Sequence, residues 1–377
     1  MIRYLNFARF DEAHGDEIRT VIDAVLASGV FIGGPEVAAF EDAFAAFCGA
    51  KHAVGVANGT EAIELILRAW GIGTGDEVIV PANAPVMTGL AVTHTGARPV
   101  LADVEPETGL IDPAAVEAAL SGATRAIVPI HMYGHPADTE RLRAIALRAG
   151  VRLLEDAAHA HGAFYRTRRC GGLADAAAFS FYPTKNLGAL GDAGAVTTDD
   201  AALAENLRLL RNCGATGGSS SSLIGYNSRL DPIQAAVLSW KLPRLDDWNE
   251  RRRRLASIYL DELVDLGEVL LPAVRSWATP VWHAFPILVT AGLRDDLQRA
   301  LEDDGIETNV HYRIPLHLQP AYSGAGWKRG DFPVSERRAA ELLSLPLDAF
   351  HTEVEIERVA ASIRSALNRR RATSVAV

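Results

Sequence analysis

The stretch Phe179–Gly194, FSFYPTKNLGALGDAG, crowds a hydroxyl, a lysine and three glycines between two short apolar runs. Ala176–Phe181 reads as a buried strand that Pro183 ends, and Gly188, Gly191 and Gly194 make a turn-rich segment before a second strand, Ala195–Thr198. Lys185 therefore lies on a loop at a strand end. A lysine amine is nucleophilic only after losing its proton, and partial burial among small residues lowers its pKa toward neutrality, as Schiff-base chemistry requires. Taken alone, a loop lysine is more often a solvated surface charge, so the rest of the chain has to supply the context.

Composition narrows the classes. The 377 residues are 49% hydrophobic and 22% charged, enough for a large core and about two domains. Lys and Arg number 37 against 47 Asp and Glu, and the net charge of −10 argues against a nucleic-acid or anionic-membrane partner. Cys48, Cys170 and Cys213 are odd in number and share no CxxC spacing, which speaks against a disulfide framework or a zinc site and for a reducing compartment. The N-terminus has no apolar leader core after Arg3, and no run reaches the ~18 apolar residues of a membrane span. A cytoplasmic protein is expected.

Strand-like runs at His52–Ala57, Glu77–Pro81, Pro99–Val104, Ala126–His131 and Val151–Glu155 alternate with helical stretches such as Glu61–Trp70, Pro113–Leu120 and Thr139–Arg148. This alternation predicts an α/β fold with a mostly parallel sheet, helices on both faces, and ligands at the carboxyl ends of the strands. Gly33-Gly34-Pro35 opens a helix whose Val37, Phe40, Phe44 and Phe47 share a packing face. Asn58-Gly59-Thr60 forms a small-residue turn from strand to helix, serving equally as a helix cap or as a row of free N–H groups for a phosphate. Gly71, Gly73 and Gly75 lack the G-x-G-x-x-G spacing and read as a turn. His131 and His135 sit among glycine and proline, which favours loop packing or substrate contact over metal, and no metal is expected. Gly214–Gly225 reads as a mobile surface loop. After about Gln234 the alternation weakens, with a charged helix at Trp248–Val264, a strand at Trp282–Val289, a helix at Leu293–Asp303 and a last helix after Glu353. We expect a large domain over residues 1–240 and a smaller α/β domain over 241–377, ending in a frayed tail after Arg371.

The run SFYPTKNLGALGDAGAV resembles the lysine segment of the DegT/DnrJ/EryC1/StrS family of sugar aminotransferases, and the likeness extends from about Phe31 to about Leu347. It implies fold type I of the aminotransferases that use pyridoxal 5′-phosphate, passing through pyridoxamine 5′-phosphate. By resemblance, Lys185 holds the cofactor covalently, Ser180, Gly59 and Thr60 bind its phosphate, and Asn227, in GYNSRLDPIQAA, reaches the partner's phosphate across a homodimer with shared active sites. Asp156, at the end of Val151–Glu155, faces the ring nitrogen, while the strand pleat points Glu155 the other way. His159 stands where the family usually has a glutamine near the ring hydroxyl, which makes that contact pH-sensitive; His161 reads as structural. In VHYRIPLHLQPAY, His311, Tyr312, Arg313 and His317 are the substrate candidates. The family's ring-stacking aromatic is missing, because Pro85 occupies its place in PANAPVMTG and no Trp, Tyr or Phe occurs between Trp70 and Tyr133.

The implied activity is transfer of an amino group from an amino acid to a nucleotide-linked keto-deoxysugar in aminosugar or antibiotic biosynthesis. Family frequency points to glutamate as donor and a dTDP sugar as acceptor. The alternatives are a keto-cyclitol aminotransferase using glutamine and a cofactor-binding regulatory or sensor protein. Retention of Lys185, Asp156 and Ser180 together speaks against the sensor, and Lys185 against the related dehydratases, which carry histidine there.

Overall fold

Seven strands make the central sheet: β1 (His52–Val56), β2 (Glu77–Pro81), β3 (Arg98–Ala102), β4 (Thr124–Ile127), β5 (Arg152–Asp156), β6 (Ala176–Ser180) and β7 (Gly194–Thr198). The computed structural model describes residues 1–217 and 220–375. The strands lie in the order β1-β7-β6-β5-β4-β2-β3, and within this sheet only β7 runs antiparallel to its neighbours. Most of their residues are apolar and buried because both faces are covered. Leu154 packs on one face with Val80, Val128 and Ala178, and Leu153 on the other with Ile79, Ile127 and Leu142.

The helices are α1 (Phe7–Ser28), α2 (Pro35–Cys48), α3 (Gly59–Ala69), α4 (Val86–His94), α5 (Pro113–Ala119), α6 (Thr139–Ala149), α7 (Ala201–Arg211), α8 (Pro232–Lys241), α9 (Leu245–Leu263), α10 (Arg294–Asp303), α11 (Pro333–Glu341) and α12 (Glu353–Val375). Five of them, α1, α4, α7, α8 and α11, lie outside the elements read from the sequence. Local signals for two were present in the side-chain caps Asn6, which accepts from Arg9 N–H, and Asp200, which accepts from Ala202 and Leu203 N–H. The terminal helix continues through Val375 where a frayed tail was expected, and Ala376 and Val377 lie outside the described residues. Within Gly214–Gly225 the chain forms a short ribbon of Ala215–Gly217 against Ser220–Ser221; the expectation of mobility at Gly218 and Ser219 lies outside the described residues.

A second sheet of β8 (Val269–Leu270), β9 (Phe285–Val289) and β10 (Leu342–Leu345) is antiparallel and packs with α9, α10 and α12. The beginning of the chain joins this part rather than the large sheet: Ile2 N–H donates to Gly305 O at 2.8 Å and Glu307 N–H to Ile2 O at 2.9 Å. No helix among the described residues is long and apolar enough to cross a membrane.

Candidate active site

β5 and β6 run side by side, with Asp156 opposite Ala178 in the parallel ladder, and their ends open on one edge of the sheet. A cavity of about 450 Å³ lies there. Its walls are Asn58, Gly59 and Thr60 at the start of α3; Pro85, Met87 and Thr88 at the start of α4; Asp156 and His159 after β5; Ser180, Tyr182 and Lys185 after β6; and Tyr312 from the smaller part of the chain.

One corner of the cavity is built by a close approach. A Cβ on Gly59 would stand 2.6 Å from Ser180 Cβ and 3.0 Å from Ser180 Cα, so only glycine lets the first turn of α3 lie against the end of β6. Asn58 caps the helix by accepting from Glu61 N–H at 2.9 Å. The Gly59 and Thr60 N–H groups belong to the helix's first turn, where no intrahelical acceptor exists, and they lie beside the Ser180 hydroxyl.

Lys185 is half-buried at the cavity wall, with its backbone N–H donating to Tyr182 O at 2.8 Å. Burial lowers its amine to about 8, partly opposed by the negative charge of Asp156. Asp156 is 3% exposed, accepting from Thr88 Oγ1 at 2.8 Å and from Ala158 N–H at 3.2 Å. Burial raises this carboxyl, and the two hydrogen bonds and the Lys185 charge work against the rise. Glu155 faces the other way, as the pleat requires. It is fully buried and accepts from Gly171, Leu173 and Ala174 N–H and from His131 Nε2.

His159 departs from its expected pH sensitivity. It is buried, stacks on His283 with ring centroids 4.3 Å apart, and accepts at Nδ1 from Tyr133 N–H. Burial, with the Lys185 charge second, drives its pKa well below the ordinary value, so the ring is neutral and carries its proton on Nε2. His283 is held in turn by Asn186, the neighbour of Lys185, which also binds Asn249 Oδ1 and Val281 O.

The family model of the DegT/DnrJ/EryC1/StrS aminotransferases matches residues 12–364. The chain belongs to that family. The EryC1 protein of Saccharopolyspora erythraea, named an erythromycin biosynthesis sensory transduction protein, is 49% identical over 93% of this chain and 96% of its own length. A dTDP-3-amino-3,4,6-trideoxy-alpha-D-glucose transaminase of Streptomyces venezuelae is 46% identical over 93% of each. The crystal structure of S. venezuelae DesV in complex with a ketimine intermediate superposes with a TM-score of 0.95 at 45% identity, covering 97% of this chain and 98% of that one. The chain is an aminotransferase of the α/β type that its sequence predicts.

DegT/DnrJ/EryC1/StrS enzymes depend on pyridoxal 5′-phosphate, and the residues here fit it: an amine of lowered pKa, a buried carboxylate short of donors, and free N–H groups at a helix start. Nine sequence-predicted residues fall as follows. Gly59, Thr60, Pro85, Asp156, His159, Ser180, Lys185 and Tyr312 line one cavity, whereas Asn227 is exposed, bridges to Asn212 and is not part of that wall. Three substrate candidates do not line that cavity. His311 binds Ser344 Oγ at 2.9 Å, Arg313 pairs with exposed Asp295 and with Gln298, and His317 is buried against Glu336 at 2.9 Å. Each bonds a nearby polar group, and the charge of Lys185 still reaches His311. His131 binds Glu155 and accepts from Ala137 N–H, which is loop packing, and His135 accepts from Arg275 N–H. Among the described residues the one cluster of metal-ligand types is His131, Glu155 and Cys170, and its imidazole and carboxylate are already occupied by these bonds.

Sequence reasoning missed Thr88, although it lies three residues after Pro85 at the start of a helix and so shares its side. It also missed His283 and Tyr133, for which no local signal existed.

Proposed function

We propose that this chain moves the amino group of glutamate to the keto carbon of a dTDP-linked deoxysugar, working as a cytoplasmic homodimer. The observation that carries the reading is the meeting of a lysine of lowered pKa and a buried, under-donated carboxylate across one cavity whose far corner is a helix start. When bound, pyridoxal phosphate supplies an aldehyde that takes up the amino group and a ring that delocalises the electrons of a broken C–H bond.

The protein's residues then divide the work. Lys185 Nζ holds the aldehyde covalently at rest; once displaced, it takes the proton from the donor's α-carbon and returns a proton as the amino group moves on. Its pKa near 8 keeps a useful fraction of the free base at neutral pH. Asp156, oriented by Thr88, would hold the ring nitrogen in its protonated form, and that positive charge would offset the penalty of the carboxylate's own burial. His159, neutral with its proton on Nε2, offers a donor to the ring hydroxyl oxygen. Gly59, Thr60 and Ser180 hold the phosphate. Pro85 and Tyr312 both line the cavity, where Pro85 would cover the ring face in place of an aromatic and Tyr312 would close the opposite side. Asn227, exposed in its own subunit, serves the phosphate of the second copy. A division into a large domain over residues 1–240 and a smaller one over 241–377 is supported by the turn Leu242–Arg244 between α8 and α9, while the bonds of Ile2 to Gly305 and Glu307 tie the start of the chain to the smaller one.

The test is turnover of a small panel, 3-keto and 4-keto dTDP sugars and one keto-cyclitol, with glutamate or glutamine as donor and mass spectrometry as readout. Amination of a dTDP ketosugar is expected. Amination of the cyclitol alone would replace the acceptor, and no amination with any pair would refute a dTDP ketosugar with glutamate as the substrates.

A further inference from the structure

Lys241, the last residue of α8, is a buried cation without an acid beside it. It is 8% exposed, and among the described residues it forms no salt bridge. Its Nζ donates to Gly188 O at 2.6 Å and stands 4.5 Å from the centroid of the Phe10 ring of α1. Burial lowers the ammonium to about 8, so it is charged at neutral pH, and the ring face offsets part of its lost hydration.

Gly188 belongs to the loop that presents Lys185. That loop is closed at its base by Ala189 N–H donating to Phe181 O at 2.7 Å and tightened by Lys185 N–H donating to Tyr182 O at 2.8 Å. A Cβ at Gly188 would strike the Pro183 carbonyl, so the turn admits no larger residue. Behind the loop lies a second cavity, of about 60 Å³, bordered by Lys185, Gly188, Lys241, Phe10 and Asp348. Packing alone therefore does not fix the loop from that side. Helix α8 holds it at two points, through Lys241 and through Gln234 Oε1, which accepts from Leu190 N–H at 2.7 Å.

We propose that Lys241 is a positioning residue for Lys185: supported by Phe10, its hydrogen bond to Gly188 ties the loop carrying the reactive amine to α8 and α1. The proposal rests on reading Lys185 as the residue that engages the cofactor covalently.

Two forms of the cofactor separate this role from a merely structural one. Pyridoxal phosphate carries the aldehyde that condenses with the Lys185 amine, releasing water, whereas pyridoxamine phosphate cannot form that bond. In Lys241→Met the Kd for pyridoxal phosphate should rise about tenfold, the loss of roughly one hydrogen bond's worth of positioning, while that for pyridoxamine phosphate stays within about twofold. The rate at which a borohydride-reducible adduct forms on Lys185 should fall in parallel, and Lys241→Gln, which restores a donor, should recover part of both. In a Lys185→Ala background, Lys241→Met should change neither affinity further. Equal weakening of both forms, or none, in a folded Lys241→Met protein overturns the proposal. If that variant does not fold, Phe10→Leu decides by the same comparison, with selective loss of the aldehyde form supporting the role and equal loss or none refuting it. A wild-type protein that binds neither form would instead break the reading of the whole site.

Discussion

Glu155 and Asp156 are neighbours in the chain and point to opposite faces of β5, and the two faces treat a carboxylate differently. On the back face Glu155 receives three backbone N–H groups and an imidazole, so its charge is spent on binding the turn Gly171–Ala174 and the loop at His131. On the crevice face Asp156 receives one hydroxyl and one N–H and looks across at Lys185, with acceptor capacity left over. A buried charge with too few partners is costly, and a fold keeps it where a ligand completes the set. The difference between structural and functional acid is thus legible in the count of donors.

Several substitutions sharpen that contrast or break it. Lys185→Ala should lower transamination by about 10⁴-fold while leaving a folded protein that still binds pyridoxamine phosphate, checked by turnover and by equilibrium binding. Asp156→Asn should cost about 10²–10³ in rate with no loss of melting temperature, since an under-partnered buried charge serves the reaction and costs the fold. Glu155→Gln should do the reverse, losing about 3 kcal/mol of stability because an amide nitrogen would face backbone donors, with activity per folded molecule preserved. If denaturant midpoints and rates moved together in both variants, the distinction drawn from the donors would be wrong.

The pH dependence carries the next test. The free base of Lys185 is the form that attacks the aldehyde, so attachment of pyridoxal phosphate to the apoprotein should accelerate as pH rises through about 8, below the 10.5 of an ordinary lysine. Because the Asp156 charge holds that pKa up, Asp156→Asn should move the midpoint to lower pH, and Glu155→Gln should leave it in place. A smaller effect is expected at Pro85. Pro85→Phe should tighten cofactor binding by a factor of two to ten, roughly the 0.5–1.5 kcal/mol of an aromatic stack, and unchanged or weaker binding in a folded variant would remove Pro85 from the ring face.

Much of this site could be read from the chain because its residues sit at strand ends. Asp156 closes an apolar run, Ser180 closes another, and Gly59 follows a third, so a parallel α/β reading places all of them on one edge. The stretch Val310–Tyr322 was read less well. Its polar residues follow no strand, and their directions are set by Asp295, Gln298, Glu336 and Ser344, partners that no local pattern announces. The same holds for His159, whose neutral state is set by burial and by the charge of Lys185, which its own stretch of sequence does not announce. The helix α4 escaped notice because its residues are apolar on nearly every side, whereas α7 carried a cap, Asp200, and a helical period of Leu203, Leu207 and Leu210 that went unread.

The account stands on Lys185 as the one residue that engages the cofactor covalently. Wild-type protein loaded with pyridoxal phosphate, reduced with borohydride and digested, should give a single modified peptide, spanning Phe179–Gly194 and carrying the adduct at Lys185. An adduct mapped to Lys241 or to any other lysine, or none after reduction of a protein shown to hold the cofactor, would contradict it.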